Sequence, residues 1–585
     1  MALMMRSEMV RRSNSVVRRT TDGSKAQHAP VRARSGEAIA TQYAPAVLAA
    51  LAAAAVALAL ANRFIQDDAF ISFVYARNLV RGAGLTWFGT RIEGYTNFLW
   101  VLWIALGMKL GIDPIVSADV GSIAAFVATV FGLERLGRAL LDSRVAALTG
   151  VLLFITNYTV VSYATGGMET MLQTSLLCWM AVLAVEPRPA PAPSRDLWLA
   201  GLGSLAVLTR LDSALPVGII LLVRLQDAWV RKQLLSTVAR IGPVFFLPLA
   251  AWLAWKSRYY GRLLPNTYYV KVDFHFNPNG LVYVGRFLHW YMLWPFLAAA
   301  AAVLVARRRL PPRRLLLPAI IVVTWLAYVA AAGGDFMEFR FFVPIAPFLV
   351  VLLVYAIVEV LGDALHRKML TTAACTAALI GASILHARSF TGITDDQALD
   401  SIPMLSTFYG LYGDGQWSTI GDRLRTELGG KNVRIALHPA GAIPFYSDLD
   451  TIDMLGLNDP EIPAHGILTA DVNRRPGHRR WTTLRYLEDS KVNLVLGAPI
   501  VVAPGAISSR TGVDMLRRWL QIAMPVSSEQ TRQGVFVGIP IDGQHSLIAW
   551  YLTASPMLDE TIRTEHWEFA DVDFERGMIR GGQAH

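Results

Sequence analysis

Two cysteines, Cys178 and Cys375, are all that this chain of 585 residues carries, and both sit inside apolar runs. That excludes a disulfide framework and a thiolate metal site, and both side chains read as small packing residues. Charge is scarce as well: 17% of residues are Asp, Glu, Lys or Arg against 54% hydrophobic, and mean hydropathy is +0.40. Soluble domains carry about 25% charged residues, so this is the composition of a polytopic membrane protein. The chain has no P-loop, no Rossmann glycine fingerprint and no His-Glu-x-x-His helix, which removes the usual nucleotide and zinc-hydrolase chemistries. It also has no internal repeat.

The charge that is present follows a pattern. The net charge is +10, and the basic residues cluster in short loops between apolar runs, which is the positive-inside distribution and not a nucleic-acid-binding surface. Residues 1–40 are a basic, Ser/Arg-rich tail without hydrophobic periodicity, read as disordered and cytoplasmic. Tyr43–Ala61 then has the length of about 20 residues that a bilayer crossing requires. Ten further apolar runs lie between 116 and 385, so residues 41–388 are expected to form an α-helical domain of eleven spans. Two of these runs, Leu197–Leu208 and Ser213–Leu225, are short and flank Arg210 and Asp212. Asn97–Leu110 is apolar enough to cross, but a crossing there would put Glu134–Arg144, Gln226–Arg240 and Arg307–Arg314 outside. It is therefore read as a surface helix, with the N-terminus inside and the C-terminus outside. Residues 389–585 mix short β-rich runs (Val433–Leu437, Val492–Leu496, Gly534–Ile539, Ser546–Leu552) with polar helical stretches. That is the pattern of a soluble α/β or α+β domain outside the membrane.

This topology rests on Lys and Arg alone, yet it gathers the remaining polar chemistry at the outer ends of spans. Asp67 and Asp68 stand just past the first span and open a stretch in which Phe70, Phe73 and Val74 recur at helical spacing, an interfacial helix. One Asp explains an N-cap. A second, its pKa lifted by burial or by a like charge, supplies a general base. Glu93, Tyr95 and Asn97 offer hydrogen bonds suited to sugar hydroxyls, and loop structure explains them equally well. Glu169, after Gly166-Gly167, is either an acid at a helix N-terminus or part of a binding loop. Tyr259–Lys271 concentrates tyrosines with Arg262, Asn266 and Lys271. The aromatics suit an interfacial belt and the two cations suit a phosphate. Asp335 and Arg340 either pair with each other or leave Arg340 for an anionic leaving group. His438, Tyr446, Asp448, Asp453 and Asp459 cluster in one soluble segment, read either as a glycan site or as packing that roofs the site. Nucleotide chemistry would need the cytoplasmic side, whose loops are short and basic, so a membrane-borne donor is expected.

Five fragments carry a family resemblance: Asp67-Asp68-Ala69-Phe70-Ile71-Ser72, Glu93-Gly94-Tyr95-Thr96-Asn97, Tyr260–Thr267, Gly333-Gly334-Asp335 with Arg340, and Asp453–Pro460. In their order the chain resembles the GT-C superfamily of integral-membrane glycosyltransferases. Within it, the chain is similar to the arabinofuranosyltransferase branch related to the mycobacterial terminal β-(1→2)-arabinofuranosyltransferase. The resemblance implies transfer of a sugar from a polyprenyl-phosphate donor to a glycan or other cell-envelope acceptor, with inversion, on the outer face of a bacterial plasma membrane. D-arabinofuranose is the first expectation and mannose the alternative. It implies Asp67 or Asp68 as base and Arg262, Lys271 or Arg340 at the donor phosphate. Glu93, Tyr95, Asn97, Glu169, Asn266, Asp335 and His438 are then expected around the sugars. Some relatives use a divalent cation and others do not; here Asp67 or Asp68 would hold one, and no full ligand set is legible. A lipid-linked sugar transporter competes with this reading, but it would place polar groups inside spans and show two related halves. A structural or polysaccharide-binding protein would leave the outer-loop acids without a task.

Overall fold

A computed structural model of the chain describes residues 31–585 apart from 187–192, 272–276, 309–310, 366, 395, 397, 410–415, 469–476, 479, 526, 529–530 and 584–585. Most of the tail expected at 1–40 lies outside the described residues. Met1–Tyr43 form one unit and Ala44–His585 a second, and the second is described below.

Helix α1 (Val31–Ala61) holds the expected first span. It leads into α2 (Asp67–Val80) and α3 (Phe98–Lys109). At about 1.5 Å per residue α3 measures about 18 Å, short of the roughly 30 Å of a hydrocarbon core. Helix α2 differs from the surface helix expected of it. Phe70, Phe73, Val74, Tyr75 and Ala76 are all fully buried, because the C-terminal part of the chain covers the face that would otherwise meet headgroups.

Next come α4 (Pro114–Leu141), α5 (Arg144–Ile155), α6 (Tyr158–Ser162), α7 (Thr170–Val185), α8 (Pro193–Thr209), α9 (Ala214–Val230), α10 (Leu234–Tyr260) and the short α11 (Asn266–Lys271). The series closes with α12 (Asn279–Trp290), α13 (Leu293–Ala306), α14 (Leu316–Ala331) and the helical runs Arg340–Ala364 and Lys368–Ser389. Among the described residues seven helices are long and apolar enough to cross a membrane, or eight if α12 and α13, bent by 85°, count as one. The other runs expected as spans are helical but shorter. The run at 145–163 breaks at Thr156, where the Asn157 side chain accepts the Val160 amide and starts a new helix. The run at 290–306 is turned by the bend before Leu293.

The C-terminal part holds strands β1 (Arg434–Leu437), β2 (Asp450–Asp453), β3 (Ile467–Leu468), β4 (Arg480–Trp481), β5 (Leu494–Gly497), β6 (Val501–Val502), β7 (Gln533–Pro540), β8 (Ser546–Tyr551), β9 (Glu568–Asp573) and β10 (Met578–Gln583). The β-rich runs seen in the sequence fall on β1, β5, β7 and β8. The main sheet has the order β10-β9-β7-β8-β5-β1-β2, with β6 also on β8, and β3 pairs separately with β4. β1 runs parallel to β2 and β5, and the other pairs are antiparallel. The loops leaving the carboxyl ends of β1 and β2 reach the membrane part, as do Gly477, beside Lys271, and His478, against Phe336. Phe445 and Tyr446 pack on Phe70, each with ring centroids 5.5 Å away. Asp448 pairs with Arg77 at 2.9 Å and Arg81 at 2.8 Å, and the Trp87 indole donates to the Thr451 carbonyl at 2.8 Å. Apolar burial therefore carries this dock, and the ion pairs fix its register.

Candidate active site

Adjacent residues on a helix project about 100° apart, so the two acids that open α2 serve different surroundings. Asp67 faces the sheet-containing part. Its Oδ1 accepts the Ala442 amide at 2.7 Å. The loop after β1 comes so close that a Cβ on Gly441 would lie 2.1 Å from the Asp67 carbonyl oxygen. Burial pushes the Asp67 carboxyl up to about 8; the Ala442 amide offsets part of the rise and the Asp68 charge adds to it.

Asp68 faces a cavity of about 770 Å³. Among the described residues it makes no hydrogen bond or ion pair. Burial raises its pKa above the usual carboxylate range, and Lys271 and Arg340 oppose that rise. Both cations line the same cavity. Lys271, at the end of α11, likewise has no hydrogen-bond or ion-pair partner among the described residues. Desolvation lowers its pKa, which Asp68 opposes. Arg340 is held differently: it grips Asp335 at 2.7 Å and points a second nitrogen at the Met168 sulfur at 3.2 Å. The expected Asp335–Arg340 pairing is thus present, and both partners line the cavity.

A polar chain runs along one wall. Ser72, one turn after Asp68, donates to Asn97 Oδ1 at 3.1 Å, and Asn97 Nδ2 donates to Glu169 Oε2 at 2.6 Å. Glu169 Oε1 pairs with Arg210 at 2.7 Å, and Arg210 also pairs with Asp212 at 2.7 Å. Gln173 donates to Asp212 Oδ1 at 2.9 Å. Arg210 and Asp212 are cavity residues that the site expectation left out. Their signal was an Arg and an Asp two positions apart between two short apolar runs. Glu169 is fully buried behind them, so it supports the wall and does not line it.

The remaining expected residues divide between wall and support. Tyr95 lines the cavity, with its hydroxyl 3.1 Å from that of Tyr260, which donates to the Leu85 carbonyl. Glu93 instead pairs with buried Lys256 at 2.5 Å and does not reach the lining. Asn266 donates to the carbonyls of Gly456, Leu457 and Asp459 at 2.8, 3.1 and 2.9 Å, fastening α11 to the loop after β2. Arg262 holds Asn266 at 3.0 Å, lies over the Tyr269 ring and stands outside the lining. His438 is remote from the lining: its Nε2 donates to the Ala523 carbonyl at 3.0 Å, and its ring sits edge-on to Trp481. Burial drops its pKa to about 4, and it packs away from the cavity.

Asp453–Asp459 is likewise spent on its own fold. Asp453 accepts the Leu455 amide and both the backbone and side-chain nitrogens of Asn458. Asn458 accepts the Tyr75 hydroxyl at 3.1 Å. A Cβ on Gly94 would lie 1.8 Å from the Asn458 side-chain oxygen. Gly94 is required there by close approach.

Among the described residues no three His, Cys, Asp or Glu side chains gather as ligands. Asp67 is committed to a backbone amide, and Asp68 faces cations. What the arrangement offers is a carboxylate without a partner and an ammonium without a partner in one cavity, with two guanidinium groups beside them.

Comparison with known proteins places the fold. ArnT from Cupriavidus metallidurans, in the crystal structure with bound undecaprenyl phosphate, aligns at TM-score 0.52 and 12% identity over 88% of this chain and 98% of that one. The apo structure of the same protein aligns at 0.52 and 14% over 87% and 98%. The chain therefore has the GT-C fold of that protein: a multi-pass membrane helical part followed by a sheet-containing domain. Residues 410–534 match a family model described as a domain of unknown function (DUF8728). No curated protein matches.

Proposed function

We propose that this protein is an inverting glycosyltransferase that moves a sugar from a polyprenyl-phosphate donor to a cell-envelope glycan acceptor. The observation that carries this reading is the pairing of an unpartnered Asp68 with an unpartnered Lys271 in one cavity. A base and an anion-binding cation, kept apart from each other's ion pairing, are the two groups that displacement at a sugar phosphate needs. The fold supports it, since a protein of the same fold is seen with undecaprenyl phosphate bound.

In this reading the acceptor hydroxyl gives its proton to an Asp68 carboxylate oxygen as its own oxygen bonds to the anomeric carbon. The anomeric carbon–oxygen bond to the lipid phosphate breaks on the opposite face, and the phosphate departs with the electron pair. Lys271 takes up the charge that develops there, while Arg340 stays paired with Asp335. No step needs a metal ion. D-arabinofuranose is the proposed sugar, on the strength of the sequence fragments around Asp67, Glu93 and Asn266. The site then faces the outside of a bacterial plasma membrane, with the basic loops in the cytoplasm.

The test is mass spectrometry of lipid copurified with the protein in nanodiscs, followed by transfer assays with decaprenyl-phosphoryl-arabinofuranose and decaprenyl-phosphoryl-mannose. A copurified polyprenyl-phosphate pentose that is turned over supports the reading. Turnover of the mannose donor alone replaces the sugar, and turnover of neither with no polyprenyl phosphate bound refutes the function.

A further inference from the structure

Two guanidinium–carboxylate pairs share one aromatic ring in the cavity wall. Arg210 stands 5.8 Å and Arg340 5.3 Å from the Phe341 ring centroid. Each is bound to an aspartate at 2.7 Å, Asp212 and Asp335 respectively, and all five residues line the cavity. They come from two separate loops, one between α8 and α9 and the other after α14. The Phe341 backbone is pinned by the Trp325 indole, which donates to its carbonyl at 2.6 Å. Gln173 and Glu169 fix the Arg210–Asp212 pair from behind.

The charge balance matters. With Glu169 included, the group holds two cations and three carboxylates, so it has no positive charge left over for an anion. Lys271 does, being without an ion-pair partner among the described residues. A paired guanidinium retains N–H donors, and its carboxylate retains acceptor sites. Two such pairs set apart by a ring present alternating donors and acceptors, which match neighbouring hydroxyl groups. An additional carboxylate in a ligand would meet Asp212, Asp335 and Glu169 in a low-dielectric site and be repelled.

We infer that the Arg210–Asp212 and Arg340–Asp335 pairs flanking Phe341 form a subsite for the uncharged, polyhydroxylated ring of the donor. Lys271 alone supplies the net charge that holds its phosphate. This rests on the proposed glycosyl transfer and deepens it: it names what reads the sugar, and it makes the enzyme selective against acidic sugars.

The experiment measures binding in nanodiscs, with no turnover needed, using decaprenyl phosphate, decaprenyl-phosphoryl-arabinofuranose and a synthetic decaprenyl-phosphoryl uronate. The wild type is expected to bind the neutral glycolipid at least tenfold more tightly than the uronate. Asp212→Asn, which keeps the side-chain shape, should weaken the neutral glycolipid at least tenfold and leave decaprenyl phosphate within twofold. Lys271→Ala should weaken both. Equal wild-type binding of neutral and acidic glycolipids overturns the inference without recourse to any variant. So does an Asp212→Asn effect that is equal on both lipids or absent from both. Failure of every polyprenyl phosphate to bind the wild type instead overturns the glycosyl-transfer reading itself.

Discussion

Replacing Asp68 by Asn keeps the shape of the side chain and removes its capacity to take a proton. The side chain has no hydrogen bond or ion pair to lose among the described residues, so the variant should fold at least as stably as wild type and gain on it as pH rises, because burial holds the Asp68 pKa up. Loss of a positioned general base costs about 10²- to 10⁴-fold in rate, which is about 2.7 to 5.4 kcal/mol in activation free energy. Donor binding should hold or tighten, because a negative charge beside Lys271 and Arg340 has gone. Asp67→Asn one position earlier serves as the control. An Asn oxygen still accepts the Ala442 amide that Asp67 Oδ1 now takes, and Asp67 does not line the cavity. Transfer should then stay within about tenfold of wild type, since the cavity-facing carboxylate at Asp68 is intact. The assay is steady-state transfer from a polyprenyl-phosphate sugar in nanodiscs, read as separate kcat and KM. In the wild type kcat/KM should rise with pH above the ordinary carboxylate range, because Asp68 acts once ionised and burial has raised its pKa. Full activity of Asp68→Asn, or equal losses in the two variants, would refute the division of roles.

Two further outcomes follow from the same dock. Asp67 titrates at about 8 when folded against 3.8 unperturbed, so the folded protein keeps a proton that the unfolded chain releases. Stability should fall as pH rises from about 4 to about 8, by at most about 1.4 kcal/mol per pH unit, and Asp67→Asn should remove that part of the slope. Thermal unfolding of both proteins between pH 5 and 8 checks it; a wild type that gains on the variant as pH rises contradicts it. Gly94→Ala should destabilise by about 1 to 3 kcal/mol, because Asn458 is tied to Asp453 and cannot yield to a Cβ 1.8 Å away. An unchanged unfolding midpoint for Gly94→Ala would show that the loop after β2 shifts freely.

Most of the expected spans and the C-terminal sheet were legible because they obey periodicity and composition. The runs at 433–437, 492–496, 534–539 and 546–552 became β1, β5, β7 and β8 with ends shifted by a residue or two. Interruptions inside spans were less legible. A side-chain cap at Asn157 and the 85° bend before Leu293 depend on local geometry that hydropathy averages away. The residue types of the site were legible, but the direction of each side chain was not. Glu93 looks like a sugar ligand until Lys256, 163 positions later in the chain and inside α10, is found 2.5 Å away. Arg262 and Lys271 look equivalent as phosphate cations. The turn into α11 commits the first to Asn266 and leaves the second in the cavity. Arg210 and Asp212 could have been included on the argument applied to Asp335 and Arg340, an acid and a cation interrupting apolar sequence.

For the C-terminal sheet we propose a roofing role over a binding role. Ligands in open sheets of this kind gather at the carboxyl ends of parallel strands, and the ends of β1 and β2 do face the membrane part. Yet the polar groups there are consumed by structure: Asp453 by Asn458 and Leu455, Asp459 by Tyr486 and two backbone amides, and the Ala442 amide by Asp67. Among the described residues of this domain, Leu457 alone lines the cavity. In the proposed transfer, an acceptor approaching Asp68 would therefore meet an apolar edge from the sheet side and hydrogen-bonding groups from the loops between helices. If the domain chose the acceptor by polar contacts, those contacts would have to break the network that holds α2 and α11 in place. In the proposed transfer, the loops between helices would read both sugars, while the sheet domain would shut water out and keep Asp68 poorly solvated.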